Sequence, residues 1–467
     1  MRARGIFSLG GFLVIIVVLS LFLRTKPLKF PNHPNFNSPG LVKTNFTGKS
    51  KISFLLEAKA RQAIERKNQN NERMSDLKEK DLKAASAIRV THIKFDHKGE
   101  DKNLTDALNI RANFNNDLEH SGNGVGDGEW IEGIRNEPAL YVSNQSVKIK
   151  ARLMAPLGIE SAIIEATGIA PAPYRIQSIK QKQVQFEHGI SRPQYVEFSL
   201  DGHTSTSIKK VADFWQWKAK NIVLAGGKVV PGPVYLNRSG PHTVYTVLQF
   251  PKYPWYLMPR QHPWASALEF ATSRAGANGK GSISGAASVF TDFFHSGFAL
   301  AYNSYGMGDP AFFKWPAFNL TDFMIHQNGQ EVSCSDLASA IHLMINLVGG
   351  KSHFVDRRPF GYINTTAAVG GIKTNNPFFA AFRVNPLPIA GIDDLFKKNP
   401  STGLYQRTHF VYHTWAELSG KVYDATLGPI KGMNRTDFLS KIIDTSTSEE
   451  YLAAKRGENK RYEIRLK

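Results

Sequence analysis

Read from its N-terminus, the chain opens on an apolar run, Ile6 to Leu23, broken only by Ser8, Gly10, Gly11 and Ser20 and flanked by Arg2, Arg4, Arg24 and Lys26. Eighteen residues at ~1.5 Å rise each just span a bilayer core. A signal peptide has a shorter apolar core and a small-residue cleavage site. Val18-Leu19-Ser20 has that form, but apolar residues continue to Leu23. The expectation is an uncleaved signal anchor, residues 6–23, behind a short tail, residues 1–5, with the rest of the chain exported in a single-pass topology. A cytoplasmic body is the other topology, and basic residues on both flanks do not choose between them.

Residues 24–125 read as a stalk. Pro27, Pro31, Pro34 and Pro39 exclude regular structure at its start. From Phe54 to about Ala85 the composition suits a helix, but Leu56, Ala60, Ala63 and Ile64 give only a narrow apolar stripe. The glycine-rich Ser121–Gly128 has no apolar strand before it and no helical pattern after it, so it reads as a linker. Period-two alternation then takes over. Val147–Leu153, Tyr195–Leu200 and His242–Leu248 alternate apolar and polar positions between turns, which predicts an antiparallel, Ig-like β-sandwich over residues 126–252. Trp215 and Trp217 are candidates for its core or its surface. From Trp255 the period becomes helical, with helices predicted over Trp264–Ala275 and Ser284–Phe294. The loop between them, Ala275–Ser282, carries a Gly-Lys pair but lacks the glycine spacing and the Ser/Thr of a phosphate loop.

A third helix is predicted after Cys334. Leu337, Ile341, Met344, Ile345 and Val348 fall on one face, Ser333, Ser335 and Asp336 suit its start, and Gly349-Gly350 suit its end. Further on, Phe410–Leu418 and Lys421–Thr426 read as a β-hairpin about Ser419-Gly420. In that register Leu418 faces Lys421, so His413 and Asp424 lie on one face as diagonal neighbours, within ~8 Å.

Composition adds bounds. A length of 467 residues suits two or three domains, and 42% hydrophobic with 11% aromatic content supports packed cores. The net charge of +19 draws the protein toward anionic surfaces, an acidic surface polymer among them, although a solvated basic stalk accounts for it without a partner. No zinc knuckle, RNA-recognition signature or dense basic helix is present, so nucleic acid is not an expected partner. Asn-x-Ser/Thr triplets at Asn45, Asn103, Asn144, Asn237, Asn319, Asn364 and Asn434 matter only in a secretory lumen. His342, His353, His409 and His413 do not form a spaced ligand set, and nothing reads as a calcium loop, so neither metal nor cofactor is expected.

The chain contains one cysteine. The positive end of a helix favours thiolate over thiol at Cys334, and a carboxylate at Asp424 would hold the His413 ring toward it. A small buried cysteine at a helix start, and a surface histidine in an ordinary hairpin, would give the same local patterns.

Taken together, Cys334 at a helix start, His413 with Trp415 and Glu417 on one strand, and Asp424 with Thr426 on the next resemble the transglutaminase-like superfamily of cysteine enzymes. The match covers roughly Asn319–Gly428, with Ser333 where the family usually has Gly and a long interval from Phe354 to Arg407. The resemblance implies a papain-like α+β core over residues 253–467. It also implies a catalytic triad of Cys334, His413 and Asp424, and acyl transfer from an amide or peptide bond of a protein substrate through a thioester. The N–H of Cys334 would serve the oxyanion, with Gln330 or Trp315 as candidate second donor. Hydrolysis is slightly favoured over crosslinking. A catalytically silent binding or scaffold protein is the alternative, and a papain-like peptidase with another residue orienting His413 is a third reading.

Overall fold

A computed structural model describes residues 78–95, 107–116, 128–256, 262–303, 309–325, 329–364, 366–374, 409–410, 412–443 and 457–467, together with Gln62, Glu65 and Arg66. Glu72–Lys467 form one compact unit; of the other, Met1–Asn71, only the three isolated residues are described, all helical. The apolar run Ile6–Leu23 lies outside the described residues, as do Ser121–Asp127. Among the described residues no helix is long and apolar enough to cross a membrane. The fold is α+β.

The alternating segments are strands. Seven long ones are β1 (Arg89–Lys94), β2 (Ser146–Met154), β3 (Ile159–Gly168), β4 (Ile179–Glu187), β5 (Val196–His203), β6 (Lys209–Leu224) and β7 (Val234–Val247). In β2, Val147, Ile149, Ala151 and Leu153 are buried while the residues between them face outward, as a period of two requires. Pairing runs β1–β2–β5–β4–β3–β6–β7, all antiparallel, and Ala139–Val142 closes the row parallel to β7. Hydrogen bonding thus joins twelve strands into one sheet, where an Ig-like sandwich would have two. The reason lies in β6 and β7, 16 and 14 residues long and broken in register between Asp213 and Trp215 and between Gln216 and Lys218. Such bulges bend strands, and the sheet rolls until its ends meet. Asn237 of β7 accepts from the Val90 N–H of β1 at 2.9 Å and donates to the Val90 carbonyl at 2.8 Å. Trp215 and Trp217 fill the interior, their indoles donating to the Gln177 carbonyl and Ser239 Oγ.

β1 corrects the stalk expectation. Ile88, Val90, Ile93 and Phe95 are buried in the rolled sheet, so this part of residues 24–125 belongs to the globular body. A register break between Val90 and His92 interrupts the alternation that would have signalled a strand.

The second core surrounds three helices, α1 (Ile283–Asp292), α2 (Cys334–Leu347) and α3 (Arg435–Ile442), and a five-stranded antiparallel sheet. Its strands are β8 (Ser352–Arg358), β9 (His413–Leu418), β10 (Lys421–Asp424), β11 (Ile430–Asn434) and β12 (Glu458–Tyr462), in the order β11–β10–β9–β8–β12. The helix expected over Trp264–Ala275 is present as Ala265–Glu269 continued by a wider turn over Phe270–Arg274. α2 packs against α1, β8, β9 and β10. Its end at Gly349 has φ +100°, and a Cβ there would stand 2.5 Å from the Gln249 carbonyl, so glycine permits both the turn and the approach of the chain leaving β7.

Candidate active site

α2 begins at Cys334 for a local reason. Ser333 is extended, and its hydroxyl accepts from the N–H groups of Ser335 and Asp336; the Asp336 carboxylate accepts in return from the Ser333 N–H at 2.9 Å. This capping box fixes the first turn and leaves the Cys334 N–H among the amides that no helical carbonyl reaches. One buried face was expected, yet every residue from Cys334 to Leu347 is buried. Much of the polar face is paired: His342 Nδ1 meets Ser352 Oγ at 3.0 Å, and Asn346 accepts from the Ser352 N–H at 2.9 Å and donates to the Tyr253 carbonyl at 2.7 Å, while Ser339 Oγ and His342 Nε2 are buried without a hydrogen bond.

The hairpin forms in the expected register, Leu418 with Lys421, Glu417 with Val422 and Ala416 with Tyr423. Ser419 and Gly420 have φ +50° and +76°, the positive values that a two-residue turn matching the strand twist needs. The strand begins at His413 rather than at Phe410, which pairs instead with Gly361. His413 Nε2 donates to Asp424 Oδ2 at 2.9 Å, and Asp424 Oδ1 accepts from the Thr426 N–H at 2.7 Å. Both side chains are buried, and the imidazole lies among Phe360, Phe410, Trp415 and Phe438. Burial disfavours its charge, but the Asp424 charge and hydrogen bond outweigh burial, with help from the Cys334 thiol, and push the pKa up to about 9. The other nitrogen, Nδ1, is buried without a hydrogen bond of ordinary geometry. An imidazole with one nitrogen on a carboxylate and the other free beside a thiol can exchange a proton with that thiol.

The remaining expected residues divide. Glu417, buried, receives Arg435 through two nitrogens and Arg461 at 2.6 Å, which makes it a clamp for the hairpin. Trp415 is wholly buried against Phe438, and Thr426 contributes its backbone to Asp424. Trp315, 56% exposed, packs edge-on against Tyr462 in the wall of a groove of about 520 Å³ that also takes in Ser335. Gln330 is absent from the groove lining, as are Cys334 and His413 themselves, and its amide turns onto the Glu331 carbonyl at 3.4 Å.

Sequence reasoning missed two contributors and the second role of a third. Tyr412 lines the groove with the Arg358 guanidinium 4.3 Å over its ring. Burial, then the charge of Cys334, push its phenol up to about 12 against the hydrogen bond of Ser335. Tyr302, buried, is pushed well above the usual phenol range by burial and then by Cys334, Tyr412 and Asp424, so it borders the same cluster. Asp336 also accepts from the N–H groups of Ala311, Phe312 and Phe313, tying the segment that bears Trp315 to the start of α2. Adjacency to His413 marks Tyr412 in the sequence, and the capping box marks Asp336; nothing local marks Tyr302.

No family model matches the chain, and no curated protein does. Among solved structures there is a likeness to the crystal structure of red sea bream transglutaminase, at 10% identity and a TM-score of 0.26, over 62% of this chain and 49% of that one. The chain thus spans about half the length of that protein. At that score the likeness does not bear on which chemistry this chain performs.

Proposed function

We propose that this chain is a membrane-anchored cysteine enzyme of the transglutaminase-like kind, acting on amide or peptide bonds through a thioester on Cys334. One observation carries the reading. The thiol at the amino end of α2 lies close enough to His413 to share in raising the ring, while Asp424 holds the opposite ring nitrogen at 2.9 Å. In this reading the charge on His413 is the proton given up by the Cys334 thiol, the thiolate attacks the carbonyl carbon, and His413 passes that proton to the leaving amine. Asp424 keeps Nε2 as a donor, so that Nδ1 faces the sulfur. The Cys334 N–H receives the oxyanion in this reading, with Trp315 or Gln330 as the second donor. Water or an amine then takes the acyl group, and water, always present, makes hydrolysis the favoured outcome. Ile6–Leu23 is the tether in this reading, with the catalytic body outside the cytoplasm.

Cys334 is only 3% exposed, which a catalytically silent binding fold would share. The rate of Cys334 alkylation by iodoacetamide near neutral pH separates the two: the enzyme reading requires a rate above that of free cysteine, lost in His413→Gln. A rate no faster than free cysteine would sink it. Mass spectrometry of a glutamine-containing peptide, with and without a primary amine, then distinguishes hydrolysis from crosslinking.

A further inference from the structure

The groove that takes in Ser335 also holds a guanidinium of fixed orientation. Cys334 and His413 do not line it, but the residue after the first, Ser335, and the residue before the second, Tyr412, both do. A hydrogen bond joins those two side chains. Arg358 lies over the same phenol ring, its guanidinium carbon 4.3 Å from the ring centre. Two residues earlier on β8, and so on the same face, Asp356 accepts from Arg358 Nε at 2.8 Å. The Asp356 side chain is 11% exposed, against 62% for Arg358. A buried carboxylate therefore holds one edge of the guanidinium, and an aromatic ring holds its flat side. Both terminal nitrogens of Arg358 are without a hydrogen-bond partner among the described residues. Glu458 stands opposite Arg358 in the register of β8 with β12 but makes no ion pair with it, and Lys460 stands opposite Asp356.

We propose that Arg358 binds a carboxylate of the substrate one or two residues from the scissile amide, and so selects the peptides on which Cys334 acts. This rests on the cysteine-enzyme reading and names its substrate class. An arginine pinned through Nε and through its flat side offers its two terminal amino groups as a fork, which suits the two oxygens of a carboxylate. Little side-chain freedom remains to be lost when that carboxylate arrives. The groove carries two acidic and two basic side chains, so the preference follows from placement and not from an excess of positive charge. From the guanidinium across the phenol to the Ser335 hydroxyl is roughly 8 Å, given an ordinary hydrogen bond at its end. An extended peptide covers that distance in about two residues.

Calorimetric titration of the full chain carrying Cys334→Ala, which cannot form the thioester, tests the assignment. The probes are three N-acetylated tetrapeptides with one glutamine each. The first has a free carboxyl terminus, the second is amidated with a glutamate two residues after the glutamine, and the third is amidated and neutral. One of the first two should bind about tenfold more tightly than the third. Tightest binding of the first marks a terminal carboxylate, and tightest binding of the second marks a side chain. Arg358→Gln should abolish that difference while leaving the neutral peptide's affinity as it was, whereas Lys460→Gln should preserve the difference. No binding, equal binding of the three peptides, a difference that survives Arg358→Gln, or its loss in Lys460→Gln would each overturn the site. The titration involves no turnover. Selective binding with slow Cys334 alkylation therefore strikes the enzyme reading alone, and fast alkylation without selective binding strikes the carboxylate site alone.

Discussion

Two histidines, one in each core, are completely buried among aromatic rings, and they are driven in opposite directions. His242 in the rolled sheet lies beside Phe95, Trp130 and Trp215, with Ser239 Oγ 2.9 Å from its Nε2. Burial alone pushes it down to about 3. His413 in the helical core has equally apolar walls, yet is pushed up to about 9. The difference is the partner: a hydroxyl leaves the ring neutral, whereas a carboxylate holds a charge in the same surroundings. Burial of a histidine therefore does not tell its role; what sits on its second nitrogen does.

The largest effect expected from breaking this contrast belongs to Asp424→Asn. The side chain keeps its shape but loses its charge, so His413 should fall toward the state of His242. Turnover on any amide substrate should drop by as much as ~10⁴-fold, with the alkylation rate of Cys334 falling in parallel. An unchanged rate would favour a different orienting residue.

Next comes the pH dependence of stability. The proton affinity of His413 is raised on folding, from the ordinary 6.5 to about 9. Its contribution, of order 3 kcal/mol, is complete below pH ~6.5 and lost as pH rises through about 9. His242, lowered to about 3, acts with the opposite sign: its stabilising contribution is present above ~6.5 and declines as pH falls toward the folded value. Urea unfolding across pH should show both flanks, with Asp424→Asn flattening the alkaline one and His242→Gln the acid one.

The smallest effect sharpens the contrast from the other side. Ser239→Ala leaves His242 Nε2 and the Trp217 indole, 2.8 Å from the lost hydroxyl, without their partner. It should cost about 2 kcal/mol in urea unfolding without displacing the acid flank, because Ser239 carries no charge. A displaced flank would mean that the hydroxyl, not burial, sets the state of His242.

Elements whose causes lie within a few residues were legible in the chain. The start of α2 follows from Ser333 and Asp336, three residues apart, and the hairpin register from Ser419-Gly420; that register put His413 and Asp424 on one face. β1 was not legible, because its alternation breaks at a bulge. Nor was the burial of the polar face of α2, which depends on Ser352 and Tyr253 reaching it from elsewhere. The sheet count failed for a similar reason: bulges and the Asn237 bridge between strands far apart in the chain decide whether strands close into one sheet or stack as two.

The sequence by itself determined where the helix starts, how the hairpin pairs, and which residue types stand at those places, since capping and turn geometry act over a single turn of chain. Tertiary structure alone decided that Cys334 comes close enough to His413 to act on its ring, and that Tyr302 and Tyr412 border them. It also decided that one buried histidine is held charged and the other neutral. Those outcomes depend on water excluded and on charges brought together from distant segments, and neither is a property of any local stretch of chain.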